Sequence, residues 1–446
     1  MCNQDDLGCY IPAFFKMSVN VDGNIDLNTM SPKDFSVFFH EYIHFIQDFT
    51  TAAGCRRIYV YGEYIRQCVD QIVNGNADFE TPIVIPEFKN NILPNVKLLD
   101  TLEGDTENLS VVKIKNIETM DEKIVDKDGK ILSFESLVVT TMGDLPISIG
   151  TCAIKESMAY LVEQLCTTSY VTSPDFPYNI ARLIADFELG VGKIDNLVLL
   201  SLCDVSLLTS NPGMTFYRML QMIKDKELIV NRPEDVYDDF YGRKSVKYDT
   251  GEVVTSISDY ILGASLAYNA LLSYYALDQF QDLNEWLNKV FSIGVAFRMK
   301  KPYFILEMAR GAKDKSNCIL QFFAKEIGAP MMENNKGQMY KLKMHEGEPP
   351  IEYLYVLLQL YKLFKFGDKS CELKKWCSQN LGQPIAMADS RCDEAPWSRC
   401  RDRNLFLMRF SGIIEDYLNS LQKIINDLII NKLDTAKYSK EIESIF

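Results

Sequence analysis

The stretch FFHEYIHFIQDF, residues 38–49, holds two of the three histidines of this 446-residue chain. His40, Glu41 and His44 form the pattern H-E-x-x-H. Residues four apart share one face of an α-helix, so both imidazoles can bind one metal ion, whereas Glu41 is turned away by about 100° and lies beside it. Imidazole nitrogens suit zinc, and a carboxylate beside the ion can take a proton from water. The stretch therefore predicts a zinc site with Glu41 as the general base.

The residues before this stretch predict a helix that begins at residue 32. Ser31 can cap the helix, Pro32 suits its first position, and Asp34 places negative charge at the positive end of the helix dipole. We expect the helix to end near Thr51, with Gly54 as the terminator. Most sides of the helix are apolar, and the polar groups lie on one narrow stripe. These groups are His40, Glu41, His44, Gln47 and Asp48.

The alternative interpretation is a helix with one core histidine and one surface histidine. A chance H-E-x-x-H is rare in a chain with so few histidines. A helix that is apolar on most sides is buried, and its buried polar groups need partners, one of which a metal ion provides. These arguments favour the metal site.

A catalytic zinc site also needs a third protein ligand and an open position for water. His345 is the remaining histidine, in the loop-like segment KMHEGEPP far downstream. A carboxylate from a second helix is the better expectation. The two candidates are Glu63 in VYGEYIRQ and Glu156 in AIKESMAYLVEQ.

H-E-x-x-H followed by a glutamate on a later helix resembles the gluzincin class of zinc metallopeptidases. Eighteen residues separate His44 from Glu63, which is the spacing of the aminopeptidase branch. The ligand helix of that branch has the pattern N-E-G-x-A-x-x-x-E, and KESMAYLVE matches it at Glu156, Ala159 and Glu163. The resemblance therefore implies Glu156 as the third zinc ligand, and Glu63 stays open as the alternative.

The resemblance implies two further roles. HEYIHFIQDF is similar to the thermolysin-type pattern H-E-x-x-H-x-x-x-D, in which Asp48 orients a metal ligand. Gluzincins use a tyrosine or histidine to stabilise the oxyanion of the tetrahedral intermediate, for which Tyr160 and His345 are the candidates. The resemblance covers the N-terminal part of the chain, and it extends to uncharacterised bacterial H-E-x-x-H proteins.

Composition narrows the classes of partner. The formal net charge of −14 gives no general attraction to nucleic acids or anionic membranes. The longest uncharged run, residues 260–277, contains four tyrosines and predicts a buried core helix rather than a membrane span. Twelve cysteines without a signal-peptide pattern indicate reduced thiols and a cytoplasmic protein. We expect neither a nucleic acid nor a membrane as partner.

The pattern along the chain predicts an α+β fold that is predominantly α. Residues 1–210 are expected to form a zincin-like metallopeptidase domain with a β-rich insertion at about 76–150, and residues 211–446 a helical domain that binds substrate or a partner. Asp22-Gly23 and Asp128-Gly129 predict two β-hairpins. Helical patterns cover residues 56–73, 151–165, 178–190, 195–209, 213–226, 255–298, 316–327, 350–366 and 404–432.

Four cysteines lie close together near the C-terminus, at Cys371, Cys377, Cys392 and Cys400. Their spacing lacks the C-x-x-C knuckle of a structural zinc site. We therefore expect these four cysteines to be buried thiols, or thiols without a functional role, rather than metal ligands.

These features predict a zinc-dependent metallopeptidase, a hydrolase that cleaves peptide bonds in a protein or peptide substrate. The early hairpin is expected to provide an edge strand for an extended substrate. The alternatives are a regulatory or binding protein with a vestigial or structural zinc, and a zinc hydrolase of a non-peptide substrate. A free protease is hazardous in the cytoplasm, so narrow specificity or a regulatory protein partner is also expected.

Overall fold

The structure is a computed structural model and describes most of the first 368 residues. It is mainly helical with small sheets, as the α+β expectation requires. The described residues are 8–21, 25, 27, 29–74, 82–83, 92–126, 128–166, 173–246, 253–275, 281–328, 331–335, 339–340 and 352–368.

Thirteen helices occur in these ranges. They are α1 (Pro32–Thr50), α2 (Ala52–Asn74), α3 (Ile92–Glu103), α4 (Thr151–Cys166), α5 (Ile180–Leu189), α6 (Asn196–Leu207), α7 (Pro212–Lys224), α8 (Glu234–Gly242), α9 (Ser256–Tyr275), α10 (Gln281–Lys300), α11 (Phe304–Arg310), α12 (Cys318–Glu326) and α13 (Glu352–Phe366).

The strands of the described chain form three small sheets. The strands are β1 (Gly8–Ile11), β2 (Lys16–Val19), β3 (Ile114–Val125), β4 (Ile131–Thr141), β5 (Pro146–Ile149), β6 (Lys244–Val246), β7 (Val253–Thr255), β8 (Met331–Asn334) and β9 (Met339–Tyr340). The sheet orders are β1-β2-β8-β9, β3-β4-β5 and β6-β7. β2 pairs antiparallel with β1 and parallel with β8.

The start of α1 confirms the capping prediction. Ser31 is the N-cap, and its hydroxyl accepts a hydrogen bond from the backbone N–H of Asp34 at 3.1 Å. The predicted end near Thr51 is confirmed as well, but Gly54 is not the terminator. The Thr51 hydroxyl donates to the carbonyl of Gln47 and accepts from the N–H of Gly54. Thr51 therefore caps both the C-terminal end of α1 and the N-terminal end of α2. A Cβ on Gly54 would lie 2.4 Å from the Cα of Asp48, and only glycine permits this close approach.

Every residue of α1 from Phe35 to Thr50 is buried. The helix packs against α2, α4 and α10 and against strands β1 and β2. Its last carbonyls are capped from α9 and α10: the Tyr260 hydroxyl donates to the carbonyl of Phe49, and the Arg298 Nε donates to that of Thr50, both at 2.8 Å. The polar stripe of α1 therefore lies inside the protein, where each of its groups requires a partner.

One of the two hairpin predictions falls within the described residues. β3 and β4 pair antiparallel on either side of Asp128-Gly129, which confirms that hairpin. The turn predicted at Asp22-Gly23 lies outside the described residues. The described neighbours of β2 are β1 and β8. Its antiparallel partner precedes it, and the connecting turn is residues 12–15.

The β-rich insertion at 76–150 stays a prediction, and its described residues contain both strands and a helix. Residues 114–149 form a three-stranded sheet, whereas residues 92–103 are helix α3. The helical pattern at 255–298 belongs to two helices, α9 and α10, and the short helices α8 and α11 lie outside the predicted ranges. The pattern at 404–432 falls outside the described residues.

Buried apolar side chains from both sides of residue 210 form one continuous core. The division of the chain at that residue stays a prediction. The run at 260–277 contributes one buried face of α9, including Tyr260, Ala264 and Leu271. No helix in the described ranges is both long and apolar enough to cross a membrane.

The cysteines depart from the expected all-thiol state at one position. Cys9 is disulfide-bonded, whereas the six other described cysteines are free thiols. The four clustered cysteines, at 371, 377, 392 and 400, lie outside the described ranges.

Candidate metal centre

Helices α1 and α4 pack side by side and bring three donor atoms together. The Nε2 atoms of His40 and His44 lie 3.2 Å apart, and the Oε2 of Glu156 lies 3.3 Å from the first and 3.2 Å from the second. His40 and His44 are four residues apart on α1, while Glu156 follows His44 by 112 residues. In the described part of the chain this is the one group of His, Cys, Asp and Glu side chains with the spacing of a metal site.

The triangle has the dimensions of one face of a tetrahedral zinc site. Zinc binds imidazole nitrogens and carboxylate oxygens at about 2.0–2.2 Å, which places neighbouring ligand atoms about 3.3–3.5 Å apart in a tetrahedron. One observed separation, 3.3 Å, is at the lower end of this range, and the other two, at 3.2 Å, are about 0.1 Å below it. The donor set of two imidazoles and one carboxylate also matches catalytic zinc sites, which keep the fourth position for water.

The outer nitrogens of both imidazoles are held by acceptors. The Nδ1–H of His44 donates to the Oε1 of Gln47 at 2.8 Å, and the amide of Gln47 in turn donates to the carbonyl of Lys155. The Nδ1–H of His40 donates to the Oε2 of Glu163 at 3.1 Å. Because the Nδ1 of each ring is held by an acceptor, the Nε2 atoms face the Glu156 carboxylate, and a metal that displaces the proton of His40 can bind both of them.

The electrostatics of the cluster favour a bound cation. Burial lowers the pKa of His40, but its hydrogen bonds to Glu156 and Glu163 outweigh burial and hold that pKa well above its ordinary value. Burial also raises the pKa of Glu156, yet the two histidines hold it well below its usual range. The pKa of His44 is lowered, chiefly by burial. An anionic carboxylate between two imidazoles therefore attracts a proton or, in its place, a metal ion.

Glu41 lies on α1 beside the cluster and is buried. Its negative charge contributes to the raised pKa of His40. The backbone of Gly8, the first residue of β1, passes directly against its carboxylate: a Cβ on Gly8 would lie 2.5 Å from the Oε1 of Glu41. Glycine at this position lets strand β1 run alongside the predicted general base.

The structure separates the two candidates for the third ligand. Glu156 contacts both histidines, whereas Glu63 forms an ion pair with Arg66, one turn further along α2, at 2.7 Å. Glu163, which matched the family pattern, accepts the hydrogen bond from His40. Ala159 of the same pattern is fully buried. His345 lies outside the described residues.

The prediction that Asp48 orients a metal ligand is wrong, because Gln47 holds that position. The buried carboxylate of Asp48 instead accepts from the Tyr10 hydroxyl at 2.8 Å, from the N–H of Ala13 at 2.7 Å and from the Lys155 ammonium at 3.2 Å. It thereby ties the β1–β2 hairpin and α4 to α1. Gln47 belongs to the polar stripe predicted from the sequence, but the stripe does not determine whether Gln47 or Asp48 contacts His44.

Aromatic rings flank the cluster on two sides. Tyr10 stacks on His44, with ring centroids 6.3 Å apart. Tyr178, in the loop before α5, has its ring centroid 6.0 Å from that of His40, and its ring also contacts Tyr160. Sequence reasoning considered Tyr160 but missed Tyr178, because no local pattern links that loop to the histidines.

Comparisons of this chain with protein-family models, with curated proteins and with solved structures gave no match. The His40–His44–Glu156 cluster is compatible with a site of the H-E-x-x-H type, and it is the observation that supports the resemblance to gluzincins.

Proposed function

We propose that this protein is a zinc-dependent metallopeptidase in which His40, His44 and Glu156 hold the metal and Glu41 is the general base. The observation that carries the proposal is the triangle of three donor atoms with edges of 3.2–3.3 Å, backed by hydrogen bonds that turn both Nε2 atoms inward. A zinc ion at such a site supplies a Lewis acid that polarises the scissile carbonyl and acidifies water.

Glu41 has the position that a general base requires. It follows His40 directly, so its side chain projects beside the donor triangle rather than into it. Its carboxylate can accept the proton of the attacking water and then pass that proton to the leaving amine. Burial behind β1 strengthens its interactions, because charges act more strongly where water is excluded. A purely structural metal site has no use for a carboxylate at this position.

Strand β1 supports a peptide as the substrate. In the described part of the chain β1 pairs with one strand, β2, and the proposed extended substrate lies along β1 by strand addition. This strand also carries Gly8 against Glu41, so a peptide bound along it would pass close to the base. The proposed setting is a cytoplasmic enzyme with narrow specificity, with a protein substrate and a regulatory protein partner.

The experiment compares the parent protein with Glu41→Gln and with Glu63→Gln, a matched change on a carboxylate outside the cluster. Metal content is measured by mass spectrometry on the purified proteins. Each protein is then incubated with a cell extract, and new protein N-termini are mapped. We expect one zinc per chain in all three proteins, with new N-termini produced by the parent and by Glu63→Gln. Glu41→Gln should lose cleavage by roughly 100- to 10,000-fold.

Three results would count against the proposal in different ways. A parent protein without stoichiometric metal contradicts the metal site itself. A metal-loaded parent that produces no new N-termini favours a regulatory or binding protein with a structural zinc, or a hydrolase of a non-peptide substrate. Cleavage by Glu41→Gln at the parent rate contradicts the role of the base.

A further inference from the structure

The donor cluster is open to solvent mainly on the side of α4. The side chain of Glu156 is 25% exposed, against 7% for His40 and 6% for His44. A molecule that reaches the cluster from outside therefore arrives along the face of α4 that carries Glu156. Side chains next to Glu156 on that face are the ones it meets.

Two partly buried tyrosines, Tyr160 and Tyr178, lie next to the cluster on this side. Tyr160 is four residues after Glu156 on α4, so it lies on the same face one turn further along. Its ring meets that of Tyr178 edge to face, with centroids 6.0 Å apart, and Tyr178 also contacts the His40 ring. The two rings form a continuous aromatic surface that ends at a metal-binding histidine.

The loop that carries Tyr178 is fixed to the framework of the site. The hydroxyl of Ser157, the residue after Glu156, donates to the carbonyl of Pro177 at 3.1 Å and accepts from the N–H of Ala181. The buried Phe176 exchanges two backbone hydrogen bonds with Leu109. These contacts hold Tyr178 in place before any substrate binds, which lowers the entropic cost of using it as a contact surface.

Tyr10, on the opposite side of the cluster, has a different character. It is 8% exposed, and its hydroxyl is committed to the buried carboxylate of Asp48. Tyr10 is therefore part of the core, whereas Tyr160 and Tyr178 are only partly buried. Partly buried aromatic side chains beside a polar cluster are typical of a ligand-binding wall.

Charge restricts what such a wall can accept. Glu163, one turn after Tyr160 on α4, and Glu156, one turn before it, both carry carboxylates near the opening. An acidic side chain of a ligand would meet two like charges there, whereas an apolar one would bury ring surface without an electrostatic penalty.

We propose that Tyr160 and Tyr178 form one wall of a substrate subsite that accepts an apolar side chain, preferably an aromatic one, next to the scissile bond. The inference rests on the proposed metallopeptidase function, because it describes how that site selects its substrate. The wall acts through the faces of the two rings, so phenylalanine can replace either tyrosine in this role.

The test uses amino-acid hydroxamates, which bind metal ions directly, with benzyl, methyl or carboxymethyl side chains. Calorimetric titration of the zinc-loaded protein gives a dissociation constant for each probe without any need for turnover. We expect the benzyl probe to bind the parent about tenfold more tightly than the methyl probe, and the carboxymethyl probe to bind most weakly. Tyr178→Ala and Tyr160→Ala should each reduce the benzyl preference to within about twofold, while Tyr178→Phe should keep it.

Tyr217→Ala is the matched control. Tyr217 is also partly buried, but it hydrogen-bonds with Glu188 at the opposite end of α5 from Tyr178. This variant should keep the benzyl preference of the parent, and thermal melting verifies that all the variants fold.

Equal affinity of the parent for the benzyl and methyl probes overturns the inference, and so does a lack of binding by all three. A loss of preference in Tyr178→Phe as large as in Tyr178→Ala overturns it too, because it assigns the effect to the hydroxyl. The proposed peptidase function is judged separately by the mapping of new N-termini. Cleavage in the N-terminus mapping without a benzyl preference in the titrations contradicts the proposed subsite and leaves the proposed peptidase function intact.

Discussion

Two buried charged clusters hold α1, one near its C-terminal end and one near its middle, and they are completed in different ways. Near the C-terminal end, Arg298 and Asp204 are both fully buried and form a bidentate pair at 2.7 and 2.8 Å. Arg298 also donates to the carbonyls of Thr50 and Pro302, and the Tyr237 hydroxyl donates to Asp204. One positive and one negative charge cancel, and protein groups satisfy the hydrogen bonds.

The cluster in the middle of α1 has an excess of negative charge. It gathers the carboxylates of Glu156 and Glu163 around two imidazoles, one of which has a pKa held well above its ordinary value. Even with that imidazole protonated, these two acids outnumber the one cation among the described groups of the cluster. A buried charge that the protein neutralises itself is structural, whereas one left in excess indicates a ligand that is still to bind.

The largest expected effect is the loss of the metal from Glu156→Gln. This change replaces one donor oxygen of the triangle by an amide, so the bound zinc should fall from one per chain to a small fraction. Glu63→Gln is the matched control and should keep one zinc per chain. The measurement is metal content after dialysis against a weak chelator. Equal zinc in the two variants would remove Glu156 from the ligand set.

The Arg298–Asp204 cluster should respond in stability rather than in metal content. Arg298→Met leaves the Asp204 carboxylate buried without its cation, which should lower the free energy of unfolding by about 3–5 kcal/mol. The double variant Arg298→Met with Asp204→Leu should recover much of this loss, because no unpaired charge remains. Urea unfolding of the three proteins checks this. A double variant no more stable than the single one would contradict the account of a self-neutralised pair.

Intermediate effects are expected from the groups that hold the imidazoles. Gln47→Leu removes the acceptor of the His44 Nδ1–H, and Glu163→Gln weakens that of His40. Each change should weaken zinc binding by about 10- to 100-fold without abolishing it. Competition with a fluorescent zinc chelator measures the affinity. Unchanged affinity in both variants would mean that these hydrogen bonds do not tune the ligands.

The smallest effect is expected at the surface pair of Glu63 and Arg66. Both side chains are partly exposed, at 22% and 28%, so water screens their interaction. Glu63→Gln should change the free energy of unfolding by less than about 1 kcal/mol. The same urea series measures this value. A loss as large as that of Arg298→Met would show that exposure does not separate the two kinds of pair.

Much of the candidate site was predictable because it depends on neighbours in the chain. The cap at Ser31, the helix and the shared face of His40 and His44 follow from hydrogen bonds and periodicity over a few residues. The family pattern pointed to Glu156 among the glutamates. By contrast, the pairing of β2 with the distant strand β8 has no local signal, because it joins residues far apart in the chain.

The sequence by itself determined a buried helix that offers two imidazoles and a carboxylate on one stripe, because helical geometry relates residues three and four apart without reference to the rest of the chain. Only the tertiary structure decided that Gln47 rather than Asp48 holds His44, that Glu156 and Glu163 reach the two histidines, and that Tyr178 stands beside them. Most of these contacts join α1 to residues more than a hundred positions away. The contact of His44 instead distinguishes Gln47 from the adjacent Asp48. Both depend on how the helices and loops pack, which no local pattern encodes.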